Sequence, residues 1–227
     1  MNRVVHLGGE AVPIWSEGQT FDTLDGILHS TRFTDTDLYH PRLKRAILEK
    51  EQEASDIKRF GRSGGGTKVY NFHRWGCAEA TLIHERALEF FRRALKRTTA
   101  VADNVWANVC RAGDYCMPHS HHRTMASVVY FLDPGDADAD DPLAGQFMIV
   151  DPRLAKCCAL EEGHVTTPLY ADMTPGSLIL FPGAVVHAVN PYRGERPRIT
   201  LAWNINESVI EGSPFTPVSD LRRNLPH

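Results

Sequence analysis

Two imidazoles one residue apart, His119-Ser-His121, are followed far downstream by His187 and, eleven residues on, by Arg198. Residues two apart on a strand point to the same face, so His119 and His121 can chelate one ion together. A third imidazole from a returning strand would complete a facial set, leaving the opposite side of the metal open to substrate and O₂. Imidazole suits iron, zinc, copper and nickel alike, so ligand type does not choose the metal. His187 lies in the apolar run Val185-Val-His-Ala-Val189, where an unpartnered imidazole is expensive to bury. Arg198 opens Arg198-Ile-Thr-Leu-Ala-Trp-Asn204; an inward guanidinium there needs an anion, and its fork matches a carboxylate. Redox oxygenation at a non-haem metal, with an anionic co-substrate, is the chemistry these residues favour.

Neighbouring residues compete for roles. His122 faces away from His121 if the strand continues, yet it remains an alternative third ligand. Asp151 offers an oxygen, although Asp-Pro at a strand end reads first as a turn, and the Cys116 thiol lies three residues before His119. Ser127, Tyr130 and Asn108 sit on strands flanking the His pair and are candidate contacts to the same anion as Arg198. Arg193 and Arg196, in a polar loop, read as solvated turn charges. Trp75, Trp106 and Tyr115 could frame a pocket, but read first as core. The remaining histidines read as structural or surface residues.

The elements that must position this set are short. From about Asp103, the runs Val105–Cys110, Ala126–Leu132, Gln146–Val150, Ser177–Phe181, Val185–Val189 and Ile199–Ile205 are bounded by Gly, Pro, Asp or Asn, which predicts an antiparallel sandwich or barrel. Upstream, Arg3–Leu7, Ala11–Trp15 and Thr67–His73 read as strands, and Pro41 to about Ser55 as a helix. Cys77 to about Arg97 carries apolar residues at helical spacing, with an aromatic stripe that reads as core. Arg62–Gly66 and Asp133–Asp141 read as exposed loops, and the segment from Ser213 as a polar surface tail.

Length and charge narrow the classes. The chain has 227 residues, 42% hydrophobic and 23% charged, with a formal net charge of −3. That suits a single domain and gives no electrostatic footprint for nucleic acid or an anionic membrane. No signal-like or membrane-spanning apolar run is evident, and five cysteines, two of them adjacent, do not make a disulfide framework. A cytoplasmic location is expected. The partner expected is a small-molecule or peptide substrate, with a homodimer left open.

The motifs in order are Gly113-Asp-Tyr-x-x-x-His119-x-His121, Ser127-Val-Val-Tyr-Phe-Leu132, Gly145-Gln-Phe-x-x-x-Asp151-Pro, Pro175-Gly-Ser-Leu-Ile-Leu-Phe-Pro182, His187 and Arg198-Ile-Thr-Leu-Ala-Trp-Asn204. Together they resemble the Fe(II)/2-oxoglutarate-dependent oxygenases, closest to a bacterial and phage group of unassigned substrate. The resemblance implies a mainly β fold with flanking helices and a double-stranded β-helix core (jelly-roll, cupin-like) over residues 103–206. Residues 1–102 would supply N-terminal strands and supporting helices, and 207–227 a tail, all within one domain. It implies Fe(II) and 2-oxoglutarate as cofactors, His119 and His187 as metal ligands, Arg198 on the distal carboxylate, and the strand from Ser127 to Tyr130 lining the co-substrate pocket. The superfamily commonly carries His-x-Asp or His-x-Glu; here His121 stands in the carboxylate's place. Two rivals therefore stay open: a three-His cupin-like metal enzyme that does not use 2-oxoglutarate, and a non-catalytic metal-binding sensor or binding module.

Overall fold

A computed structural model describes residues 3–53, 66–157 and 167–208. Among these residues thirteen strands and two α-helices follow in order: β1 (Val4–Leu7), β2 (Glu10–Pro13), β3 (Asp22–Leu24), β4 (Leu28–Arg32), α1 (His40–Glu53), β5 (Thr67–Tyr70), α2 (Ala78–Ala94), β6 (Val101–Cys110), β7 (Cys116–His119), β8 (Ala126–Asp133), β9 (Phe147–Ile149), β10 (Leu169–Tyr170), β11 (Ser177–Pro182), β12 (His187–Val189) and β13 (Arg198–Asn206). The large sheet runs β3-β4-β11-β8-β13-β6-β5, the small one β10-β9-β12-β7, and β1 pairs with β2 alone. Successive strands from β6 onward alternate between the two sheets, with β9 and β10 both in the small one, which is the winding of a jelly roll.

Alternation along the strands builds two cores. Ala126, Val128, Tyr130 and Leu132 of β8 and Ile199, Leu201, Trp203 and Ile205 of β13 turn outward, beneath α2 and the N-terminal segment. The opposite parity, Val129, Phe131 and Ala202, meets Phe147 and Ile149 of the small sheet. Each fully buried Val, Leu, Ile or Phe contributes about 1.5–3 kcal/mol, so the large sheet is fixed from both sides.

The aromatic stripe of α2 is core, as its spacing predicts: Ile83, Ala87, Phe90 and Phe91 are all buried against the sheet. On the same helix Arg86 is fully buried and pairs with Asp35 through two hydrogen bonds of 2.8 and 2.6 Å. Arg86 also donates to the Tyr39 hydroxyl, which bonds the Tyr130 hydroxyl at 2.7 Å. This network ties helix to sheet on the face away from the histidines.

The segment predicted over Thr67–His73 ends as a strand at Tyr70, and Asn71, at a φ of 58°, turns the chain into a 3₁₀ turn. Strands β3 and β4 carry polar residues at alternate positions and lack the apolar signal that marks the others. The end of the first predicted helix near Ser55, Gly65 and its preceding loop, Cys158, the loop to Thr166 and the tail from Ser213 lie outside the described residues. Among the described residues no disulfide is formed, and no helix is long and apolar enough to cross a membrane.

Candidate metal centre and co-substrate pocket

His119 closes β7, His121 stands in the turn that follows, and His187 opens β12; β7 and β12 are paired, with His187 opposite His119. Each of the three offers a ligand nitrogen within 4.8 Å of the others. Their ring centroids are 4.3 to 5.2 Å apart. His122, one residue on, is exposed and outside this group, so the pair on offer is His119 and His121.

The ring nitrogens away from the cluster are held in place. His119 Nδ1 lies 2.9 Å from the Met117 carbonyl, and His187 Nδ1 lies 3.0 Å from the Val185 carbonyl. A carbonyl only accepts, so each Nδ1 carries the proton and each Nε2 keeps its lone pair. His121 Nδ1 lies 3.3 Å from Asn204 Nδ2, and Ser127 Oγ donates to Asn204 Oδ1 at 3.3 Å. With the amide oxygen turned to the imidazole, His121 Nε2 also keeps its lone pair, and the amide N–H still reaches Ser127; the two orientations are interchangeable in shape. His119 and His187 thus each turn an Nε2 lone pair inward, and His121 joins them in that amide orientation, the arrangement a metal needs.

Two backbone devices aim the turn and strand. The His121 N–H donates to the Gly183 carbonyl at 2.7 Å. A Cβ on Gly183 would meet the Thr124 carbonyl at 2.4 Å, so only glycine permits that approach. Asp151 lies outside this group. Its buried carboxylate accepts from the Arg153 side chain and from the Val186 N–H at 2.9 Å, which pins the strand beside His187. These contacts hold its carboxyl well below the usual range, Arg153 first.

Burial holds the imidazoles neutral. His121 and His187 are each lowered to about 3, by desolvation first and by His119 second, and His119 is lowered by desolvation. Because the folded values lie below the unfolded 6.5, the stability these groups carry is present above pH 6.5 and is lost as pH falls toward 3. Each contributes a slope of at most about 1.4 kcal/mol per pH unit in that window. Metal-free protein is therefore expected to melt at a lower temperature at pH 5 than at pH 7, with a shallower dependence in His187→Leu; equal slopes in both proteins would contradict this.

The site face of the large sheet carries the rest. Register places Arg198 beside Cys110, Thr200 beside Asn108, Ala202 beside Trp106, and Asn204 beside Ser127. Arg198 is 1% exposed and lines the same cavity as the three histidines. Its Nη2 reaches the Met173 sulfur at 3.4 Å, and its Nε has no partner. Among the described residues no carboxylate pairs with it, whereas Arg196 is taken by Asp136, and Arg193, exposed, pairs with Asp141. Burial pulls the Arg198 guanidinium below its ordinary value. A buried cation left this way is poised for an anion.

Asn108 and Ser127 line this cavity; Asn108 accepts from Trp106 Nε1 at 3.0 Å and donates to Thr200 at 3.2 Å. Tyr130 does not: its hydroxyl meets Tyr39 and His40 on the opposite face of the sheet. Ser127 and Tyr130 are three residues apart on one strand, so the pleat must send them to opposite sides. Trp106 and Tyr115 border the cavity, while Trp75 packs against Phe72. Cys116 borders it too, its Sγ 3.6 Å from His119 Nδ1, and burial keeps its thiol protonated. Lys68, Thr200 and Asn204 also face the site and escaped the sequence reading. Alternation in β5 would have exposed Lys68 as the odd residue between buried Thr67 and Val69.

Residues 104–204 match the family described as "Putative 2OG-Fe(II) oxygenase". No curated protein matches the chain. Among solved structures, a prolyl-4-hydroxylase from Pseudomonas putida is similar with a TM-score of 0.54 and 20% identity, over 78% of this chain and 90% of that one. The viral collagen prolyl hydroxylase vCPH from Paramecium Bursaria Chlorella virus-1, solved with 2OG, gives 0.54 and 12%, over 79% and 95%. AviO1 from Streptomyces viridochromogenes gives 0.61 and 12%, over 83% and 93%. At these identities the likeness is one of fold.

Proposed function

With residues 104–204 forming a 2OG-Fe(II) oxygenase domain, we propose that this chain hydroxylates a substrate while 2-oxoglutarate is converted to succinate and CO₂. Fe(II) and 2-oxoglutarate are the cofactors of that domain. The observation that supports the reading most is Arg198: a fully buried guanidinium, without a carboxylate among the described residues, in the cavity of three imidazoles.

The residues divide the work. His119, His121 and His187 hold the metal through Nε2, their Nδ1 contacts fixing the ring planes. Arg198 would hold the distal carboxylate of 2-oxoglutarate, which its guanidinium fork suits. Thr200 and Asn108 line the same cavity and offer hydroxyl and amide contacts. Val129, Phe147 and Ala202 form an apolar wall that keeps water from the reacting centre. Bound together, the metal and 2-oxoglutarate supply the O₂ chemistry that no side chain can. His121, neutral where a carboxylate is common, leaves the centre one negative charge short.

The test is incubation of anaerobically purified protein with Fe(II), 2-oxoglutarate and then O₂. Succinate and CO₂ in equal amounts are expected, dependent on all three additions. No succinate across a broad substrate panel would overturn the reading in favour of a three-His centre that leaves 2-oxoglutarate untouched.

A further inference from the structure

One residue of the loop between β12 and β13 borders both ends of the co-substrate site. Tyr192 is 1% exposed, although its loop, Tyr192-Arg-Gly-Glu-Arg-Pro197, is otherwise polar. Its hydroxyl accepts from the Asp136 N–H at 2.8 Å and donates to the Arg196 carbonyl at 2.5 Å. The Asp136 carboxylate in turn accepts from the Glu195 and Arg196 N–H groups at 3.0 and 2.8 Å, which closes the loop around the ring. Three glycines make room for it. A Cβ on Gly135 or Gly194 would strike the Tyr192 hydroxyl, and one on Gly145 would lie 2.8 Å from ring atom Cδ2. A ring bonded at its tip and enclosed this closely has one position.

At one end of the site this ring meets the arginine. The point that a Gly145 Cβ would occupy is also 3.5 Å from Arg198 Cδ, so the Tyr192 ring and the Arg198 stem pack around the same glycine. The guanidinium's polar neighbours include the sulfurs of Met173 and Cys110, which are weak partners. Packing along the stem, more than hydrogen bonding, therefore directs Arg198. At the other end the backbone of Tyr192 meets the strand that carries His119. The Gly113 N–H donates to the Tyr192 carbonyl at 2.7 Å, and the Tyr192 N–H donates to the Asp114 carbonyl at 2.8 Å. Asp114 stands two residues before β7, which ends at His119. Tyr192 is thus a bridge between the guanidinium and the metal-bearing strand.

We infer that Tyr192 is a positioning residue that sets the span of the co-substrate site, and with it the preference for a 2-oxo acid of the length of 2-oxoglutarate. An acid held by the metal at one end and by Arg198 at the other is measured by the distance between the two. Tyr192 fixes that distance from both sides, through its ring and through its backbone. A freer arginine stem would follow a longer acid. This deepens the oxygenase reading and rests on it.

Fe(II)-loaded protein is titrated without O₂ with 2-oxoglutarate and with 2-oxoadipate, which is one methylene longer, and the affinities are compared as a ratio. The native ratio should favour 2-oxoglutarate. It should fall about fivefold or more in Tyr192→Phe, which loses both hydroxyl bonds but keeps the ring that fills the space. It should fall likewise in Gly194→Ala, whose Cβ displaces the hydroxyl. Metal affinity should stay within about twofold in both. A merely structural role would weaken both acids alike and leave the ratio unmoved. An unchanged ratio in the folded variants therefore overturns the inference, as does a native protein that binds the two acids equally. If one variant fails to fold, as melting would show, the other decides. If the native protein binds neither acid, the oxygenase reading itself falls and this inference with it.

Discussion

Arg198→Met is expected to abolish measurable 2-oxoglutarate binding while leaving metal affinity intact. Truncating one side of a buried, hydrogen-bonded charge pair costs about 2–5 kcal/mol, which is roughly thirtyfold to a few thousandfold in affinity. The guanidinium is 1% exposed, and its Nε has no partner among the described residues. Water therefore cannot stand in for the missing group. The same substitution should do the opposite to the free protein. A buried cation with no counter-ion is destabilising, and a well-packed apolar side chain of similar length relieves that. Arg198→Met should thus melt at an equal or higher temperature than the native protein and lose its stabilisation by 2-oxoglutarate. Calorimetry and thermal melting, with and without 2-oxoglutarate, separate the two effects. Arg198→Lys should recover only part of the affinity, since an ammonium keeps the charge but not the fork. A protein that binds 2-oxoglutarate equally well with Met at 198 would show that the anion lies elsewhere.

His121→Ala is expected to weaken metal binding more than about a hundredfold, beyond the range seen when only an outer partner of a ligand is lost. His122→Ala should leave it unchanged. The two residues are adjacent, so the comparison isolates geometry from composition. His121 lies with His119 and His187, ligand nitrogens within 4.8 Å, whereas His122 is exposed. Metal content after dialysis, and competition with a chelator of known affinity, would measure both. Metal loss in the His122 variant and retention in the His121 variant would reverse the assignment. The His121 variant should remain folded, because its ring bonds the Asn204 amide and lies among the site's own rings, outside the main core.

Much of this was legible before any coordinates. The apolar runs Ala126–Leu132, Ser177–Phe181 and Ile199–Ile205 announced buried strands, and each is one. A helical stripe on Cys77–Arg97 announced α2. The pair His119 and His121 with the distant His187 was visible because buried imidazoles are scarce in apolar runs. What failed did so for a physical reason. Tyr130 was grouped with Ser127, although strand parity separates them, and the phenol belongs to a network with Tyr39 and Arg86. Alternation in β5 sets Lys68 apart from Thr67 and Val69, but that its face is the site face follows only from β5 pairing with β6, and register across strands leaves no trace in one sequence. Asn204 was quoted as part of a motif, but its contact with the His121 ring comes from the turn after β7 folding back over β13. Asp151 opens a turn, as Asp-Pro at a strand end suggests, and Arg153 and the Val186 N–H take its carboxylate.

The proposed enzyme holds both a three-imidazole metal and 2-oxoglutarate in one cavity. Anaerobic titration of Fe(II)-loaded protein with 2-oxoglutarate, followed by calorimetry and by the metal's absorption spectrum, tests it most directly. One saturable site per chain is expected, with a spectral change that tracks the heat and loss of both in the absence of metal or of Arg198. Binding that leaves the spectrum unchanged, or no binding at all, would contradict it.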